Sequence, residues 1–135
     1  MTSAKKLGDR YELEVKHILE SRGYLVEMAH RTMRRIFAKG KMFYVSQRND
    51  FFGLFDLCSV HPVQDTLWIQ VKSDTSDVYK AKKKILQWVN DYNISDDYEV
   101  WQRIKRKGFI IHYHSSLGWS KNYINLKGKT VPKFD

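Results

Sequence analysis

Much of what this 135-residue chain lacks is informative. It has one cysteine, Cys58, which rules out an internal disulfide and a cysteine-rich zinc site and suits a reducing compartment. With only two prolines and seven glycines, it has no Pro- or Gly-rich linker, and no repeat or low-complexity tract interrupts it. Apolar runs such as Phe109 to Ile111 fall far short of the ~20 residues needed to cross a bilayer, and the N-terminus lacks a basic-then-apolar leader. The expectation is a single intracellular, cytoplasmic domain over residues 1–135, with no membrane partner and no small-molecule cofactor.

Negative charge is also in short supply. Against 24 Lys and Arg stand 15 Asp and Glu, a formal excess of +9. The deficit is local. From His30 to Arg48 there are six basic residues and no acid, and from Trp101 onward eight basic residues face only Asp135. Lys80, Lys82, Lys83 and Lys84 form a third cluster, while acids gather between Asp9 and Glu20 and at Asp96, Asp97 and Glu99. Aromatic residues are interleaved with the basic segments, among them Phe37, Phe43, Tyr44, Trp101, Phe109 and Trp119. This partition suits a phosphate-binding surface better than a merely solvated one. The residues assigned to nucleic acid are Arg31, Arg34, Arg35, Lys39, Lys41 and Arg48, with Lys105, Arg106 and Lys107. Charge alone does not choose between DNA and RNA.

Periodicity predicts a helix from Ala4 to Ser21, with Leu7, Tyr11, Val15, Ile18 and Leu19 on one face and Gly23 as its stop. A strand is expected over Tyr24–His30, and a basic hairpin or mobile loop around Lys39-Gly40-Lys41. Leu54–His61 reads as a strand interrupted by Asp56, and Leu67–Lys72 as a strand after the His61–Asp65 turn. Asp74 to Asp77 offer caps for a second helix through Tyr92. Glu99–Ile104 and Phe109–His114 read as a hairpin with a basic tip, and Tyr123–Leu126 as an edge strand. The class is α/β or α+β, with a mixed central sheet flanked by helices.

A few polar groups stand where apolar ones are expected. Glu12 lies on the face of Val15 and Leu19, and a carboxylate there needs a partner. Asp56 interrupts an apolar strand, although Asp is depleted from strands. Gln70 and Lys72, two apart, point the same way. If these strands are antiparallel neighbours, Asp56 lies across from Gln70 and Lys72, with Glu12 reaching over from the helix. Two carboxylates and an amide oxygen beside a lysine suit Mg²⁺ or Mn²⁺ and the hydrolysis of a phosphodiester.

Gly8-Asp9-Arg10-Tyr11-Glu12, followed by Ile18 to Tyr24, resembles the opening helix of the archaeal Holliday-junction resolvases. Gly53-Leu54-Phe55-Asp56-Leu57 resembles the Asp-bearing strand of the PD-(D/E)XK nuclease superfamily, and Ile69-Gln70-Val71-Lys72-Ser73 its (D/E)-x-K half-motif. The resemblance implies a restriction-endonuclease-like core and a metal-dependent DNA endonuclease, structure-selective in the manner of a Holliday-junction resolvase. It also implies a homodimer acting on DNA, branched DNA included. Glu12, Asp56 and Gln70 would be metal ligands, the Val71 carbonyl would complete the site, and Lys72 would be the catalytic lysine. Two departures stand out: Gln70 occupies the place of an acid, and Phe55 that of a frequent proline.

Rival readings remain. Asp50 competes for the acidic position, and Glu12 has a helix partner in Lys16. His61, His112, His114 and Cys58 lack zinc-site spacing, and Cys58 reads as a small core residue. The function has two alternatives: a catalytically weak or inactive nucleic-acid-binding protein of the same fold, and an RNA-processing nuclease.

Overall fold

A computed structural model describes residues 4–134. Helix α1 (Ala4–Ser21) buries Glu12, Val15, Ile18 and Leu19 along one stripe. It ends as Gly23 predicts: the Gly23 N–H donates to the Glu20 carbonyl at 3.1 Å and the Tyr24 N–H to the Leu19 carbonyl at 3.1 Å, with Gly23 at φ +91°. That is a Schellman cap, whose left-handed residue favours glycine. Strand β1 (Leu25–Met28) follows. It stops earlier than the expected Tyr24–His30 strand because the chain leaves the sheet at Ala29.

The suspected hairpin or loop is a regular ribbon of β2 (His30–Ala38) and β3 (Lys41–Asn49). Lys39 (φ +53°) and Gly40 (φ +73°) join the strands, the double positive φ of a type I′ turn. The two strands pair only with each other, as a separate two-stranded sheet.

Strands β4 (Leu57–Val60) and β5 (Leu67–Lys72) pair antiparallel, helix α2 (Thr75–Tyr92) crosses over, and β6 (Asp97–Ile104) returns parallel to β5. β7 (Gly108–Ser115), β8 (Gly118–Asn125) and β9 (Thr130–Val131) then add antiparallel in turn. The main sheet is mixed and seven-stranded, in the order β1-β4-β5-β6-β7-β8-β9. β4 is shorter than expected because Asp50–Leu54 fold into a tight turn, with the Gly53 N–H on the Asp50 carbonyl at 3.0 Å and the Leu54 N–H on the Phe51 carbonyl at 3.0 Å. β8 is longer than expected and is followed by a two-residue edge strand. Asp74 caps α2, its carboxylate accepting the Ser76 N–H at 2.8 Å.

Apolar residues fill both faces of the sheet. α1 packs Val15, Ile18 and Leu19 onto Leu67, Ile69, Trp101, Phe109 and Ile111. α2 packs Val78, Ala81 and Ile85 onto Phe55 and Val100, with Trp68 and Trp88 beside them. The result is an α/β domain with one helix on each face. Among the described residues, no helix is long and apolar enough to cross a membrane. Cys58 is half-buried rather than deep in the core, and burial pushes its thiol pKa up.

Candidate active site

Strand direction gathers most of the expected residues at one end of the sheet. β5 and β6 run parallel, so Lys72 and the Lys105-Arg106-Lys107 turn after β6 lie at the same end. β4 runs the other way, so Asp56, just before it, lies there too. The root of the β2–β3 ribbon joins them, because the Ala29 N–H donates to the Asp56 carbonyl at 2.9 Å.

The backbone fixes Asp56. Its N–H donates to the Ile69 carbonyl at 2.9 Å, although Ile69 is paired in register with Leu57. Beyond this point β5 has no β4 residue beside it, and the Asp56 carboxylate takes over the ladder: Oδ2 accepts the Val71 N–H at 2.7 Å. A carboxylate acceptor there is a strong substitute for a strand bond. Asp56 is 5% exposed.

Gln70, on β5, is 9% exposed, and among the described residues its Oε1 has no hydrogen-bond partner. It lies two residues after Trp68, which packs in the α2 layer, so Gln70 and Lys72 share that side of the strand. Glu12 is 5% exposed and belongs to α1, on the opposite face. Glu12 and Gln70 therefore occupy opposite layers, with Asp56 at the strand end. Lys72 is half-buried and lines a cleft of about 220 Å³ with Leu7, Gly8 and Tyr11 of α1, Val71, Ser73, and Asp77 of α2. Among the described residues, no three His, Cys, Asp or Glu side chains gather as a metal site. The set expected from the sequence is of another kind, two carboxylates with one amide oxygen.

Family models, curated proteins and solved structures were all searched, and none matches this chain.

Of the expected nucleic-acid contacts, Arg35, Lys39, Lys41, Lys105, Arg106 and Lys107 are exposed, while the side chains of Arg31, Arg34 and Arg48 lie outside the described residues. Asp50 sits half-buried in the turn before β4 and, like Glu12 and Asp56, makes contacts of its own. His112 does not group with His61 or Cys58. It is 3% exposed, with Nε2 2.9 Å from Gln102 Oε1, and Gln102 Nε2 donates to Thr75 Oγ1 at 3.1 Å. Because the Gln102 amide nitrogen is used on Thr75, its oxygen accepts the His112 Nε2–H, which leaves Nδ1 as an acceptor with no partner among the described residues. Burial, with Lys82 and Lys121 nearby, lowers the His112 pKa to about 4.

Sequence reading missed two buried polar links. Arg103, one of the basic excess after Trp101, is 6% exposed and donates Nε to Glu14 Oε1 at 3.1 Å, with its guanidinium 4.9 Å from the Tyr11 ring centre. It locks α1 to the sheet and is not available to phosphate. Trp101 Nε1 donates to Glu99 Oε1 at 2.9 Å, and burial pushes the Glu99 pKa up. The available signal was alternation in β6, which assigns Glu99, Trp101 and Arg103 to the α1 face.

Proposed function

We propose that the chain is a Mg²⁺- or Mn²⁺-dependent DNA endonuclease with a restriction-endonuclease-like core, acting on branched DNA as a homodimer. The order of parts supports this reading: Glu12 on α1, Asp56 before β4, Gln70 and Lys72 on β5, then α2 and β6. It is the order on which the resemblance to the PD-(D/E)XK superfamily rests.

The observation that carries the proposal is Gln70. A buried acceptor left without a partner costs about 1–3 kcal/mol and calls for an explanation. A hard cation beside the Asp56 carboxylate removes that cost, so the residues present fit such an ion. Asp56, Gln70 and the Val71 carbonyl would hold it at the end of β4, and Glu12, which belongs to the α1 layer on the other side from Gln70, would join only from across the sheet edge. When bound, the ion supplies a polarised phosphoryl oxygen and a water of lowered pKa. Lys72, at the cleft, orients the attacking water and offsets charge developing on the phosphate. Lys105, Arg106 and Lys107 hold the backbone at the same end. A homodimer supplies the two sites that symmetric cutting of two strands requires.

The test is cleavage of branched and linear DNA with Mg²⁺ or Mn²⁺ by wild type, Asp56→Ala and Lys72→Ala, together with calorimetric Mn²⁺ titration. Activity lost in both variants is expected; undiminished activity in both overturns the mechanism. A binding-only role is the second reading, favoured by the neutrality of Gln70, which removes one negative charge from the ligand set. Absent Mn²⁺ binding with salt-sensitive DNA binding intact selects it. Preferential cutting of matched RNA redirects the proposal to RNA processing.

A further inference from the structure

The β2–β3 ribbon forms a sheet of its own, apart from the seven-stranded one, and it is strongly basic. Its register pairs Arg35 with Tyr44 and Phe37 with Met42. Residues paired across strands, or two apart along one strand, share a face. Arg35, Phe37, Met42 and Tyr44 therefore form one face, and all four are exposed, Phe37 at 77% and Tyr44 at 60%. Lys39 and Lys41 are exposed at the tip. An isolated two-stranded ribbon is marginal in water, so a face this apolar calls for something to cover it. Charge selects the occupant: between His30 and Asn49 the chain has six Lys and Arg and no acid. A second copy of the ribbon would bring like charges together, whereas a polyanion neutralises them.

We infer that the β2–β3 ribbon is a duplex-DNA arm whose Arg35/Phe37/Met42/Tyr44 face lies in the major groove beside the cut. A two-stranded ribbon fits the B-form major groove, about 12 Å wide, and does not fit the deep, narrow one of A-form RNA. At ~3.3 Å per residue, nine-residue strands reach about 30 Å, close to one turn of duplex. Arg35 and the tip lysines meet phosphates, and the aromatic face meets base edges and thymine methyls. The position beside the cut rests on the nuclease reading of Asp56, since the root of the arm is bonded to that residue; duplex binding itself does not.

The experiment measures binding in EDTA, across a salt series, to a linear DNA duplex, the same sequence as duplex RNA, and one DNA strand alone. Arg35→Ala/Lys39→Asn/Lys41→Ala, with Asn chosen to suit the left-handed turn position, should weaken duplex binding and flatten its log–log salt slope by about 3. Phe37→Ser/Tyr44→Ser should keep the slope and lose the preference for DNA duplex over RNA duplex. Thermal melts matching wild type establish that the sheet is intact. Affinity and slope unchanged in both variants overturn the arm. So does single-stranded DNA binding as tight as duplex binding and dependent on Phe37 and Tyr44, or an oligomeric state that changes in Phe37→Ser/Tyr44→Ser while DNA affinity does not. Wild type that binds through the ribbon but never cuts with Mg²⁺ sinks the nuclease reading alone. Cleavage lost in Asp56→Ala, with ribbon variants binding normally, sinks the arm alone.

Discussion

The two ends of the central sheet carry opposite charge. At one lie Lys72, the Lys105–Lys107 turn and the root of the basic ribbon, grouped around Asp56. At the other, the turn into β5 and the start of β6 bring Asp65, Asp96, Asp97 and Glu99 together. Burial and the neighbouring carboxylates of Asp65 and Asp96 hold the Asp97 pKa above its ordinary value, and burial raises that of Glu99. Crowded acids repel phosphate, so under the proposed function a nucleic acid would be steered towards the Asp56 end. The net charge, spread over the whole chain, conceals this polarity.

Substitution at Asp56 should separate the two ends most sharply. Asp56→Ala is expected to abolish cleavage and, by orphaning the Val71 N–H, to cost about 1–3 kcal/mol of stability in denaturant titration. Asp56→Asn keeps an acceptor for Val71, so it should lose cleavage and recover most of the stability; equal stability loss in both would deny the carboxylate its ladder role. Gln70→Glu comes next. It should raise Mn²⁺ affinity in calorimetry and lower the melting temperature in EDTA, because a buried charge then lacks its cation. A melting temperature insensitive to Mn²⁺ would show that no ion binds there.

His112 gives a smaller effect. The folded imidazole holds its proton less tightly than the unfolded one, so unfolding takes up a proton below pH 6.5. Stability should drain as pH falls from about 6.5 to about 4 and change no further through this group below that. In His112→Asn that stretch of the melting curve against pH should flatten, and an unchanged curve would place the acid sensitivity elsewhere. The smallest change belongs to the acidic end. A carboxylate whose folded pKa is raised destabilises above that pKa and not below the unfolded value. Glu99→Gln, which keeps an acceptor for Trp101, should therefore melt higher than wild type at pH 7, match it in strong acid, and leave cleavage unaltered.

The helices and β5 were legible because periodicity, Gly23 and Asp74 each mark them locally. The ribbon was legible only as a basic hairpin or a mobile loop, and its length was not, since alternation over residues 30–49 does not reveal whether a strand joins the main sheet. Asp56 and Gln70 were flagged as polar intruders in apolar strands. The assignment of Gln70 and Glu12 to opposite layers was hidden, because it depends on which face each helix covers, a tertiary fact. Arg103 was counted only as part of the basic excess, and its link to Glu14 was hidden for the same reason, since it follows from the register of β6 and the helix that covers that face.

The root of the ribbon has one further consequence. Ala29 bonds to Asp56, and Phe51 pairs with Phe55, so the chain is stitched closed where it leaves the sheet and where it returns. What hangs between those stitches can lengthen, shorten or change its sequence without disturbing any ladder bond of the core. The domain is built like a tool with an exchangeable head: if the ribbon is the arm proposed above, its grip can diverge quickly while the part that holds Asp56 stays as it is.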